Sequence, residues 1–178
     1  MKIRKILFLS LIVATGICLH IIESSIPVPF IVPGAKLGLA NIVNLITLVL
    51  FGFKSAIVVA ITRCIVATLG TGAVTGFFYS ISGALFSTAI MWVVYKYCSS
   101  FFSLIGVSIF GSMAHNIAQL TVASIMIHNP LIFTYLPIMI LVSLFTGYFV
   151  GLASIYVTKH LKNILSNQQD SSHYTNLS

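Results

Sequence analysis

The residues able to do chemistry are few, and they sit where they are expensive to keep. Lys36 stands inside "IPVPFIVPGAKLGLANIVNL", Ile26 to Leu45, and is followed by Asn41 and Asn44. Arg63 interrupts the apolar run "AIVVAITRCIVATL". In "GSMAHNIAQL", Gly111, His115 and Gln119 fall on one i, i+4 row of a helix, and Ser112 and Asn116 fall on the adjacent row. Glu23 closes the first hydrophobic run. Two cations, one carboxylate, several amides and an imidazole are groups that hold a small polar molecule through charge-assisted hydrogen bonds. A carboxylate, a phosphate or a polar heterocycle would suit them. They make a poor catalytic set, because His115 has no obvious carboxylate partner of its own. Cys18, Cys64 and Cys98 are unpaired by spacing and read as small packing residues, so neither a metal nor another cofactor is expected.

The background against which these residues stand is lipid. Charged residues make up 6% of the 178, hydrophobic residues 58%, and mean hydropathy is +1.10. A soluble domain carries about 25% charged residues, so this chain could not clothe a water-facing surface. The net charge of +7 does not point to nucleic acid. No basic stripe, zinc spacing or aromatic–basic interleaving accompanies it. The reading is an all-α integral membrane protein, a bundle of six transmembrane helices.

Those spans are expected at Ile6–Glu23, Lys36–Phe53, Ser55–Leu69, Gly76–Tyr95, Leu104–Ile127 and Leu131–Thr158, each near the roughly 20 residues that cross a bilayer. Residues 1–160 form the transmembrane domain in this reading, and residues 161–178 a polar, disordered cytoplasmic tail. With the N-terminus inside, Lys2, Arg4, Lys5, Lys54, Lys96, Lys159 and Lys162 all fall on the cytoplasmic side, and only Lys36 falls outside. The positive-inside rule then places both termini in the cytoplasm of a bacterial-type cell membrane. An uncleaved first span is preferred to a signal peptide.

At 1.5 Å of rise per residue, Arg63 lies roughly 14 Å from the inner edge, His115 roughly 18 Å, and Asn44 roughly 12 Å below the outer edge. These levels agree. Glu23, Lys36, Asn41 and Gln119 lie above them, so residues of four spans can line one outward-opening cavity, with the proline-rich segment folding over it. Plainer readings stand beside this one. Lys36 can snorkel to headgroups. Arg63 can be a structural cation paired with Glu23, and His115 and Asn116 can be interhelical hydrogen-bond glue.

Small residues recur at helical spacing. Gly72, Gly76, Ser80, Ala84 and Thr88 form one row, and Ser143, Gly147 and Gly151 another. Both are expected to pack within the chain. A third row, Ser10, Ala14 and Cys18, is the candidate face for a separate membrane partner. No GxxxxGK[ST] motif is present, so any active transport must draw on an ion gradient or another subunit.

"PGAKLGLANI", Gly52, Arg63 in its span, "SISGALFS" and "GSMAHNIAQL" together resemble the Gx transporter family, also known as heptaprenyl diphosphate synthase component I. The resemblance runs from about Glu23 to the sixth span. It implies likeness to the S components of energy-coupling factor transporters, six-helix proteins that bind a vitamin or metal near the outer face. The first helix of an S component carries a small-residue stripe that docks on a transmembrane coupling subunit driven by two ATPases. Ser10, Ala14 and Cys18 match that role in character, although the usual stripe is alanine. The expected function is a substrate-binding subunit for uptake of a small, vitamin- or precursor-like molecule. Its substrate-binding residues would be Glu23, Lys36, Asn41, Asn44, Arg63, His115, Asn116 and Gln119. The alternative is a non-catalytic membrane component associated with heptaprenyl diphosphate synthesis. Catalysis itself is not expected, because the chain has no aspartate-rich motif for a Mg²⁺-diphosphate and its only aspartate is Asp170.

Overall fold

The computed structural model describes residues 2–25, 37–72 and 74–174. Lys36 and the proline-rich segment before it lie outside the described residues. Six α-helices follow one another: α1 (Lys2–Ser25), α2 (Asn41–Phe51), α3 (Phe53–Thr71), α4 (Val74–Tyr97), α5 (Leu104–Ile127) and α6 (Leu136–Tyr174). A 3₁₀ turn, Pro130–Tyr135, leads into α6. Among the described residues, four stretches are long and apolar enough to cross a membrane: Lys5–Glu23, Phe53–Thr71, Val74–Tyr97 and Pro130–Ile164. α5 is as long as α4 but carries Ser108, Ser112, His115, Asn116 and Gln119 on its buried side.

The distribution of polarity is that of a protein dissolved in lipid. Leu7, Leu11, Phe86, Ile125, Phe145 and Phe149 are exposed, whereas Glu23, Asn41, Asn44, Arg63, His115 and Gln119 are buried. In water this arrangement would be unstable. In hydrocarbon it is required, because polar groups must find partners inside the bundle. The chain is a multi-pass membrane protein.

α2 is the hub. It has eleven residues and packs against all five other helices. Burial along most of its length explains why "NIVNLITLVLF" is apolar apart from Asn41, Asn44 and Thr47, which fall on one side at i, i+3 and i+6. The expected second span began at Lys36, but the helix starts at Asn41. Gly38 has φ +82°, a left-handed conformation that ends any helix approaching from its N-terminal side. At the other end Gly52, also at φ +82°, serves as C-cap of α2 and N-cap of α3, so the two helices are joined by a single residue.

Around this hub the other helices form an open ring. α3 packs on α4, α4 on α5 and α5 on α6, the last two being the most extensive pairings. α1 packs only on α3 and α2 among the described residues. The α6 row of small residues works as expected: Gly147 and Gly151 let α5 approach until a β-carbon at either would lie 2.6 or 2.5 Å from the Cα of Ile109 or Ile105. On α4, Ala84 joins Ala60 and Cys64 in one buried cluster, the packing role expected of that cysteine. After α5, His128 adopts a left-handed turn, and the Asn129 side chain accepts a hydrogen bond from Leu131 N–H at 3.0 Å, with Pro130 starting the turn.

Candidate functional site

The site is built on the start of α2. Asn41 opens the helix and Asn44 lies one turn deeper on the same face, and both are buried. α3 brings Arg63 to that face. Its Nε donates to Asn44 Oδ1 and its Nη2 donates to Asn41 Oδ1, each at 3.3 Å. The guanidinium thus lies along the first turn of α2. It is 2% exposed and held by two neutral amide oxygens. Asn44 passes the connection to α4, donating from Nδ2 to Thr88 Oγ1 at 3.0 Å, and Thr88 in turn donates to the Ala84 carbonyl at 2.7 Å.

Glu23 of α1 reaches the same helix end from the other direction. Its Oε1 accepts from the backbone N–H groups of Gly38 and, at 3.3 Å, Leu39. These N–H groups precede the first turn of α2, where the helix dipole favours negative charge. Glu23 therefore ties the end of α1 to the start of α2 across the intervening segment. Gly16, two turns earlier on α1, makes room for Arg63: a β-carbon there would stand 3.2 Å from Arg63 Cδ and 2.8 Å from Val43 Cγ2.

α5 contributes an imidazole that is clamped on several sides. His115 Nε2 lies 3.0 Å from Gln119 Nε2; with the amide as donor, Nε2 accepts and the ring proton is on Nδ1. A β-carbon at Gly83 of α4 would be 2.6 Å from ring Cε1, and one at Gly38 would be 3.3 Å from ring Cδ2. The same position at Gly38 is 3.0 Å from Asn41 Nδ2. Gly38 thus joins the two halves of the cluster: Glu23 on its N–H, Asn41 and His115 against its Cα.

The structure therefore brings Glu23, Asn41, Asn44, Arg63, His115 and Gln119 into one contiguous group. Asn116 is not part of it. Its Nδ2 donates to the Met139 carbonyl at 3.1 Å and to Ser143 Oγ at 2.7 Å, which turns it toward α6. One residue along a helix is a rotation of 100°, so neighbours in sequence serve different interfaces. Lys36 lies outside the described residues. Ser10, Ala14 and Cys18 lie on the exposed side of α1, opposite the buried Ile12, Gly16, His20 and Glu23. Only 17% of the apolar stretch of α1 is buried, against 39% for those of α3, α4 and α6.

Three contributors, and one buried neighbour of Glu23, are not singled out for the site by the sequence. Thr88 reads as one member of a packing row, and Gly38 and Gly83 as parts of longer segments. His20, 3% exposed, sits on the inward face of α1 one turn before Glu23. The signal for His20 was available: Gly16, His20 and Glu23 share a face at i, i+4 and i+7. Among the described residues no three His, Cys, Asp or Glu side chains group as metal ligands would.

A family model described as heptaprenyl diphosphate synthase component I matches residues 12–157, which covers α2 to α5 whole and more than half of α1 and of α6. No curated protein and no solved structure matches the chain. The matched region contains every residue of the buried polar group, from Glu23 to Gln119, and the chain belongs to the heptaprenyl diphosphate synthase component I family.

Proposed function

We propose that the chain is a substrate-binding subunit of an uptake transporter of the energy-coupling factor type, taking a small polar organic molecule from the outer side of a cell membrane. One observation carries this reading. A buried, hydrogen-bonded polar group drawn from α1, α2, α3, α4 and α5 surrounds the first turn of a central half-length helix in a lipid-facing bundle. Glue between two helices needs one donor and one acceptor. A carboxylate, a guanidinium, an imidazole and three amides gathered from separate helices make a recognition surface, because each ionisable group costs about 2.5–3.5 kcal/mol to place in the membrane interior. Loading is from the side on which Asn41 and Glu23 lie, with both termini in the cytoplasm. The sparsely buried face of α1, bearing Ser10, Ala14 and Cys18, is where a transmembrane coupling subunit with its ATPases would dock.

A second reading is favoured by the family's description, which names one component of a synthase. In it the chain is a non-catalytic membrane component that holds a partner synthase at the bilayer during heptaprenyl diphosphate synthesis. Native mass spectrometry of the detergent-purified protein, with identification of co-purifying chains, separates the two. A retained small molecule or an ATPase module supports the first reading. An isoprenoid synthase with no small molecule retained overturns it in favour of the second.

A further inference from the structure

We infer, resting on the binding-subunit reading, that the molecule bound carries an anionic group, a carboxylate or a phosphate, seated between the Arg63 guanidinium and the side-chain amide of Asn41. Two observations meet at this point. Among the described residues both hydrogen-bond acceptors of Arg63 are uncharged amide oxygens at 3.3 Å, the long end of the range, although the residue is 2% exposed. A guanidinium has five N–H donors, and two are used. Beside it, Asn41 Nδ2 is buried and has no hydrogen-bond partner, in a residue 1% exposed. Asn41 Oδ1 is committed to Arg63, so the amide is oriented by that bond and its NH₂ points away from it. The imbalance is one of number: Asn41 Nδ2 lacks an acceptor, and the one carboxylate of the group, Glu23, faces the N–H groups of Gly38 and Leu39 and not this amide.

A planar carboxylate or one face of a phosphate restores that balance with a single group. It would accept from the free edge of the guanidinium and from Asn41 Nδ2, and its charge would offset that of Arg63. The first turn of α2 adds to the attraction, since a helix N-terminus favours negative charge. Glu23 already shows an oxyanion accepted there, on the N–H groups of Gly38 and Leu39. The amide of Asn41 is the side-chain donor left over.

The test is thermal unfolding of the full chain in detergent, followed by intrinsic fluorescence, with inorganic phosphate, with acetate, and with chloride at matched ionic strength. Phosphate or acetate should raise the unfolding midpoint saturably and chloride should not. Arg63→Gln should raise the half-saturating concentration about ten- to a hundredfold, the loss expected for charged hydrogen bonds. Asn41→Asp tests the same point without added ligand. The aspartate keeps the oxygen facing Arg63 and replaces the orphaned donor by a second anionic oxygen. It should unfold at a higher temperature than the wild type and respond to neither anion.

A variant Asn41→Asp less stable than wild type, or a phosphate response unchanged in Arg63→Gln and so due to an adventitious ion only, would overturn the assignment. Its failure is distinguishable from that of the binding-subunit reading. A neutral or cationic molecule retained in native mass spectrometry leaves that reading standing and removes this one. Co-purification of a synthase alongside an intact, Arg63-dependent anion response does the reverse.

Discussion

Gly83 of α4 and His115 of α5 share one space: the imidazole ring occupies the place where a side chain at 83 would begin. A β-carbon there would lie 2.6 Å from Cε1 and 2.7 Å from Nδ1. Gly38 lies beyond another edge of the ring, where an added β-carbon would stand 3.3 Å from Cδ2. Gly83→Ala should therefore displace His115 and cost about 1–3 kcal/mol, as overpacking does, with a matching loss of ligand affinity. Gly70→Ala is the control. It too is helical, and nothing lies within 4 Å of its β-carbon position, so it should be neutral or stabilise by about 0.5–1 kcal/mol. Detergent unfolding midpoints of the two variants compare them directly, and equal effects would show that the clamp is not tight.

Arg63→Ala should weaken binding of the retained ligand by about 2–5 kcal/mol, the cost of truncating one partner of a buried charged contact, and His115→Ala by about 1–3 kcal/mol, the cost of leaving a buried polar partner unsatisfied. Asn116→Ala should behave differently. Its bonds run to Met139 and Ser143 on α6, so it should lower stability by about 0.6–1.7 kcal/mol and leave ligand affinity unchanged. Affinities measured on the purified variants decide the matter. Equal losses at 115 and 116 would mean that both act through the bundle's integrity.

How far the sequence reveals this site depends on the residue. Burial of Arg63, His115 and Gln119 follows from their rarity in an apolar chain, since an ionisable or amide group in a lipid-soluble span has to face inward. Their common level follows from helical rise. Partners are another matter. His115 and Asn116 are adjacent letters with the same apparent depth, and only the packing of α5 between α4 and α6 sends one to Gly83 and the other to Ser143. The start of α2 was equally hidden. "KLGLANI" is apolar enough to continue a helix backward to Lys36, and hydropathy carries no trace of the positive φ at Gly38.

Ala14→Trp should abolish association with a coupling subunit and spare ligand binding by the isolated protein. Ser10, Ala14 and Cys18 leave a shallow strip along the exposed side of α1, and close van der Waals approach drives helix association in lipid. An indole would hold the incoming helix several ångströms away. The buried residues of α1, Gly16, His20 and Glu23, project from its opposite side. Wild-type recovery of a tagged coupling subunit with this variant would place docking elsewhere.

Both termini should be cytoplasmic and residues 26–34 extracellular. With the native cysteines replaced, an impermeant thiol reagent applied to intact cells should modify Ser25→Cys and not Ser178→Cys. The opposite pattern would invert the orientation.

The brevity of α2 has an electrical consequence. Eleven residues rise about 16 Å, roughly half of a 30 Å hydrocarbon core. Gly52 and the exposed Lys54 fix its far end near one membrane face, so its first turn lies close to the midplane. Moving one elementary charge through a whole membrane costs or releases about 2.3 kcal/mol per 100 mV. A charge seated at Asn41 has about half of that field still to cross. Membrane voltage therefore weighs on both capture and release of a charged cargo, by about 1 kcal/mol per 100 mV each. For an anion entering a cell whose interior is negative, both steps run uphill. On the binding-subunit reading the potential opposes import of an anion, and that work would fall on the machinery docked against the chain.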